Sequence, residues 1–316
     1  MTRSVATRGQ SAAVAPAVET IKADIAADDS VNMDETSWRQ AGKLVWLWLA
    51  ATTTAVYFLI APTRSRKGGP VREEQGDEAR AMRSIVTRGD KLLPANFEGN
   101  ATTDRYAVYD ILDPFSHPFC HCHLRRANKA PTQALIDRGS DTAPVGTALL
   151  TASDALFHVW KRYRRGEIDR AAMRAEMAPV RETWRAALTD GLGSPDKRTR
   201  RFCKKLNDCW PCLWIFSIEP GVEPTNRGPV REERRDEARA TRSVATRGGE
   251  QQIRPPVRWR RTSFGTQSDA GSLFAARMLT VFATAQRRGV DALSWLQIAL
   301  HAHLARKPLP VLPQPA

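Results

Sequence analysis

A chain of 316 residues is long enough to bury a large core, as one big domain or two smaller ones. Its 48 Lys and Arg against 34 Asp and Glu leave a formal net charge of +14, which favours a polyanionic partner such as DNA, RNA or an acidic membrane surface. Residues 1–30 are polar and Ala-rich without the pattern of a secretory signal, and five cysteines make an odd number; together these argue against a disulfide scaffold and for a cytoplasmic protein with free thiols or a metal site.

In chain order, VNMDETSWRQAGKLVWLWLAAT reads as a short apolar strand ending in Asp34, a polar turn, and a second strand from Leu44. The uncharged run Leu44 to Pro62 is long enough to span a bilayer, yet Thr52, Thr53 and Thr54 stand at its centre, where a hairpin turn would fall. With Val, Trp, Tyr, Phe and Ile on either side, two buried strands are the preferred reading over a membrane helix.

A repeat interrupts the next stretch. Residues 69–89, GPVREEQGDEARAMRSIVTRG, and 228–248, GPVREERRDEARATRSVATRG, differ at five of 21 positions, and residues 2–9 match 241–248 throughout. Copies so far apart, so charged and so poor in large apolar residues cannot stack as a solenoid. They read as an inserted mobile DNA element kept in frame, with Glu and Arg spacing that permits local helix, and no catalysis is assigned to them.

Beyond the first internal copy, ATTDRYAVYDIL places Asp104 beside apolar and aromatic residues suited to a buried sheet. FCHCHLRR brings Cys120, His121, Cys122 and His123 together, and thiolate with imidazole suits zinc. Neighbours on a strand point to opposite faces, so a core or site-edge role is preferred over a zinc site at Cys120, Cys122 and His123. Residues 155–190 have helical spacing, with an amphipathic bundle face preferred over a DNA-contacting arm. Cys203, Cys209 and Cys212, the last two in a C-x-x-C, sit in an apolar context and read as core rather than as a redox or zinc pair. VEPTN at 222–226 precedes the second internal copy, after which Glu250 opens EQQIRPPVRWRRTSFGTQS. Arg254, Arg258, Arg260 and Arg261, with Trp259, form a basic and aromatic cluster suited to phosphate contacts that set register without reading sequence.

Three acids from separate segments suit a site for two divalent ions, because hard oxygen ligands bind Mg²⁺ or Mn²⁺ and leave room for water and phosphate. Two such ions about 3.5–4 Å apart serve phosphodiester chemistry. The ordered series VNMDETSWRQAGKLVWLWLAAT, TTDRYAVYDIL, CHCHLRR, GVEPTN and EQQIRPPVRWRRTSFGTQSDAGSLFAARMLTV resembles the transposases of the insertion sequence sixty-six family, from about Ala17 to the carboxyl terminus apart from the repeats. The resemblance implies a ribonuclease-H-like α/β core, a mixed sheet with flanking helices, and an Asp–Asp–Glu triad that cuts DNA and transfers its 3′ ends with Mg²⁺ or Mn²⁺. Carried onto this chain, the acids and metal ligands are Asp34, Asp104 and Glu250, with Glu223 as the alternative third acid.

The organisation expected from these readings is a repeat fragment and disordered lead at 1–16, catalytic core at 17–124, a helical insertion at 125–221, the rest of the core at 222–278, and a helical tail at 279–316. Transposon ends and target DNA are the expected partners; homo-oligomerisation is compatible with this, and no membrane is involved. Relatives carry an end-recognition portion ahead of the catalytic region, so specific end recognition is expected to be lost here. A copy placed between Asn226 and Glu250 threatens the third ligand, because metal sites tolerate displacements of only about half an ångström. The alternative expectation is therefore an inactive remnant with non-specific DNA affinity.

Overall fold

The computed structural model describes residues 2–62, 92–93, 97–104, 109, 112–125, 131–139, 141–226 and 249–315; for 2–8, 131 and 249–251 it is the backbone that is described. Both internal repeat copies, and the reading of them as helices, lie outside the described residues. The chain is mixed α/β and divides into two compact units. One comprises Met1–Ala101, Tyr106–Ile111 and Asn226–Ala316, and the other Thr102–Arg105 and Leu112–Thr225.

The first, the sheet unit, is built on strands β1 (Ser30–Gln40), β2 (Lys43–Ala51), β3 (Val56–Ala61) and β4 (Asn100–Thr102), in the order β3-β2-β1-β4. The first three form an antiparallel meander in which Asp34 lies opposite Leu49, and Leu49 opposite Phe58. The run Leu44 to Pro62 is thus a hairpin, and no helix among the described residues is long and apolar enough to cross a membrane. Its threonines make the turn: Thr52 Oγ1 accepts the backbone N–H of Thr54 at 3.2 Å and of Ala55 at 3.1 Å.

Asp34 does not end its strand, as the sequence suggested. β1 runs six residues further, to Gln40, because its residues alternate between the two faces: Val31, Met33 and Glu35 are buried on one, while Asn32, Asp34 and Thr36 are half-buried on the other. The chain reverses at Ala41 and Gly42, both at positive φ (48° and 75°), the geometry of a two-residue hairpin whose twist matches its strands. Glycine adopts it freely and Ala41 at a cost of about 1 kcal/mol.

Helices cover the sheet. α1 (Thr2–Ala26) takes in residues 2–16 of the stretch expected as a disordered lead; it buries Val14, Ala17, Val18, Ile21 and Ile25 at helical spacing. α8 (Gly249–Ser263) contributes Ile253 to a cluster with Trp38, Leu47, Leu49, Ala51, Val56 and Phe58. α9 (Asp269–Arg288) continues unbroken through Leu279, where a tail was expected to begin, and α10 (Ala292–Leu304) follows.

α9 also binds the backbone of β3 and its turn. Thr284 Oγ1 accepts Val56 N–H and Thr280 Oγ1 accepts Phe58 N–H, each at 3.0 Å, while the Arg287 guanidinium donates to the Thr52 carbonyl and Arg288 Nε to that of Thr54 at 3.0 Å. The fully buried Arg288 side chain pairs with Asp24 of α1 at 2.6 Å and donates to the carbonyls of Leu312 and Pro313.

The second, the helical unit, holds α2 (His121–Arg125), α3 (Pro131–Asp137), α4 (Ala143–Arg164), α5 (Arg170–Leu192), α6 (Lys197–Asp208), a 3₁₀ turn at Trp210–Leu213 and α7 (Ile215–Ile218). Its core is aromatic: Trp184, Trp214 and Phe216 are buried with Cys203 and Cys212, and α4 and α5 present Leu149, Leu156, Met173, Met177 and Trp184 at helical spacing. Arginines on α5 stitch the 210–218 segment down. Arg174 donates to the carbonyls of Ser217 and Ile218, both at 2.8 Å, Arg181 lies over the Trp214 ring, and Arg185 over Trp210 at 4.5 Å.

Candidate active site

Asp34 is held by the strand that carries it. Its Oδ1 accepts the Glu35 backbone N–H at 2.9 Å, and both neighbouring residues are tied from distant motifs. Buried Asn226, last residue of the EPTN element, donates Nδ2–H to the Met33 carbonyl at 2.8 Å. Buried Tyr109, five residues beyond Asp104, donates its hydroxyl to Glu35 Oε2 at 2.5 Å and meets Trp48 edge-on. Strand alternation puts Glu35 and Asp34 on opposite faces, so the Tyr109 bond braces the strand from behind. Sequence reading missed all three bracing residues, although Glu35, Tyr109 and Asn226 stand inside the quoted motifs.

The face that carries Asp34 also carries Trp38, and Leu49 lies opposite Asp34 in β2; this is the face on which Ile253 of α8 packs. Glu250 lies in the first turn of α8, three residues before Ile253, and its side chain is outside the described ones. Further along α8, the Arg260 guanidinium bonds the carbonyl and hydroxyl of Ser37, the latter at 2.8 Å. Partial burial, then repulsion from Arg261 and Arg39, lowers its pKa. Trp259 packs tilted on Trp38 with centroids 5.5 Å apart. Arg254, Arg258 and Arg261 are exposed at i, i+4 and i+7, which places them along one side of the helix. Of the four arginines singled out in sequence, three therefore face solvent and one anchors the helix to β1. Beyond α8, Gly265 (φ 90°) sits where a Cβ would fall 2.1 Å from the Arg39 carbonyl oxygen, so only glycine lets this segment close on the end of β1.

Asp104 follows β4 by two residues and belongs to the helical unit. Thr103 is buried and bridges Phe119; its hydroxyl donates to the Asp104 carbonyl at 2.5 Å and lies 2.6 Å from His117 Nε2. Since the hydroxyl proton goes to that carbonyl, His117 donates from Nε2. Glu223, the alternative third acid, pairs with Arg164 at 2.5 Å.

The cysteine–histidine segment is pinned to EPTN: His121 N–H bonds the Pro224 carbonyl at 2.8 Å, and the Thr225 hydroxyl meets Cys122 Sγ at 3.1 Å. The His121 ring is turned into the core among Trp184, Trp214 and Phe216, with Nε2 at 2.8 Å from the Leu213 carbonyl oxygen. Burial lowers its pKa to about 4, so it is neutral and donates from Nε2. Among the described residues, no three His, Cys, Asp or Glu side chains gather as a metal-binding group.

A family model described as Transposase IS66 family matches residues 1–228. The match takes in Asp34, Asp104 and Glu223 and stops where the second internal repeat copy begins, so Glu250 and the arginines of α8 lie beyond it. No curated protein and no solved structure matches the chain.

Proposed function

Because the chain belongs to the IS66 family of transposases, we propose that it is the catalytic portion of a DNA transposase, cleaving strands and transferring their 3′ ends at Asp34, Asp104 and Glu250. One arrangement carries this reading. Asp34 stands on the interior strand of a β3-β2-β1-β4 sheet, β4 leads within two residues to Asp104, and α8, with Glu250 in its first turn, packs on the Asp34 face. The antiparallel meander and this strand order favour a ribonuclease-H-like core.

The donor set is all carboxylate, the ligand type that Mg²⁺ and Mn²⁺ prefer. Such ions supply an activated attacking oxygen and a stabilised leaving oxygen. The chain's own contribution is alignment: Asn226 and Glu35–Tyr109 fix the strand on either side of Asp34, and Thr103 fixes the backbone at Asp104. Arg254, Arg258 and Arg261 neutralise DNA phosphates, and Arg260 holds that row against β1 through Ser37.

A second reading, an inactive remnant that retains non-specific DNA binding, is favoured by one observation. The copy at 228–248 separates Asn226, which is anchored to β1, from Glu250.

Nicking of supercoiled plasmid with Mg²⁺ or Mn²⁺ decides between them. The expected result is metal-dependent nicking, abolished by Asp34→Ala, Asp104→Ala and Glu250→Gln and retained by Glu223→Gln. Loss with Glu223→Gln but not Glu250→Gln would reassign the third acid. Salt-sensitive DNA binding without nicking would establish the remnant.

A further inference from the structure

α6 carries Lys197, Arg198, Arg200, Arg201, Lys204 and Lys205, with Asp208 as its only acid. At 3.6 residues per turn, all six cations fall within an arc of roughly 160°. The opposite side buries Thr199, Cys203 and Leu206. That side is mounted tightly on α5: a Cβ built on Gly191 would fall 2.2 Å from Cys203 Sγ, so glycine is what lets the two helices approach. Asp196 caps the first turn, accepting Thr199 N–H at 2.8 Å.

We propose that this exposed basic face is a DNA phosphate-binding surface of the helical unit, separate from the arginine row of α8; the inference rests on the transposase reading above. Three observations carry it. Lys197, Arg198, Arg201 and Lys204 are all exposed, and no ion pair among the described residues takes Lys197, Arg198 or Arg201. Arg174, Arg181 and Arg185 of α5 are turned onto rings and carbonyls, whereas on α6 Arg200 bonds the Ser194 and Pro195 carbonyls and Lys204 pairs with Asp208 at 3.0 Å, leaving Lys197, Arg198 and Arg201 outward.

The third is self-repulsion. Apart from Lys204 and Lys205 with Asp208, the pairs on this face at i, i+3 or i+4, such as Lys197 with Arg201 and Arg201 with Lys204, are like-charged and destabilise the helix in isolation. A polyanion laid along the face relieves that repulsion and releases its own condensed counterions. Over about 12 residues the face extends roughly 18 Å, several nucleotide steps of a DNA strand. A bilayer surface fits less well, because a lipid-binding helix needs a free apolar face and the apolar side of α6 is buried within its own unit.

The test is the salt dependence of DNA binding by the whole chain and by a Lys197→Gln, Arg198→Gln, Arg201→Gln, Lys204→Gln variant, with helix content and melting compared first. The expected result is a slope of log K against log salt shallower by about 0.9 for each phosphate no longer neutralised, about 2–4 in all. If the quadruple variant fails to fold, Lys197→Gln and Arg201→Gln singly are each expected to reduce the slope by about 0.9. A folded variant with the parent's slope overturns the α6 assignment and leaves the transposase reading standing. A parent that binds no DNA overturns both. Equal competition from phosphatidylserine vesicles at matched phosphate overturns DNA as the partner.

Discussion

The two units tie down their polar side chains with a different balance of partners. In the sheet unit, hydroxyls and guanidinia on α9 reach backbone: Thr280 and Thr284 take N–H groups of β3, and Arg287 and Arg288 cap carbonyls of the turn before it. In the helical unit, cations on α5 lie on indole rings, and a histidine is sealed among aromatics with its Nδ1 unpartnered. A sheet edge offers polar backbone that must be satisfied, whereas a helical bundle offers ring faces and a few helix-end carbonyls. The difference teaches that arginine count misjudges DNA contact in this chain, since several of its arginines fasten one element to another.

The comparison can be broken at its strongest point first. Trp184→Ala removes a fully buried ring from the aromatic core and is expected to destabilise the helical unit by about 3–5 kcal/mol. Hydrogen exchange resolved by segment should show α4–α6 opening while β1–β3 keep their protection; equal loss in both would show that the units do not unfold independently.

Acid should separate the units next. The folded pKa of His121, about 4, lies below its ordinary 6.5, so between these values the unfolded chain binds more protons. Stability is therefore full above pH 6.5, falls as pH drops through that value, and has lost about 3 kcal/mol by pH 4. Melting curves across this range should show a slope in the parent that largely disappears in His121→Leu.

In the sheet unit the vulnerable groups are backbone. Thr280→Val leaves the Phe58 N–H without its acceptor and is expected to cost about 1–3 kcal/mol by urea denaturation, with no pH dependence. The smallest effect is expected at the N-terminus of α9, where Ser268 Oγ accepts Gly271 N–H at 3.1 Å. Ser268→Ala should cost about 1 kcal/mol, and Ser268→Asp should recover most of it.

The hairpin at 44–62 was legible because β-branched and aromatic residues flank a threonine turn, and both signals are local. The course of β1 was not: Asp34, Thr36 and Ser37 look like the start of a loop until α8 packs on the Asp34 face and Arg260 takes Ser37. The roles of Glu35, Tyr109 and Asn226 depend on partners 74 to 193 residues away, which no local pattern reveals. The basic face of α6, by contrast, is plain at helical spacing. It was overlooked because the neighbouring cysteines and tryptophans drew that segment into a core reading. Among the candidate acids, Asp34 and Asp104 stand in motifs that the sequence keeps intact, whereas the third acid is obscured by the repeat copy at 228–248.

The threonines of α9 have a consequence for what can be added to this protein. An exposed edge strand is a template on which another chain can continue the sheet, through the very N–H groups that Thr280 and Thr284 occupy. With Val56 and Phe58 already engaged, β3 cannot be augmented by a foreign strand unless α9 first lifts away. The helix thus works as a built-in guard against edge-to-edge aggregation at the Val56–Phe58 stretch of the meander.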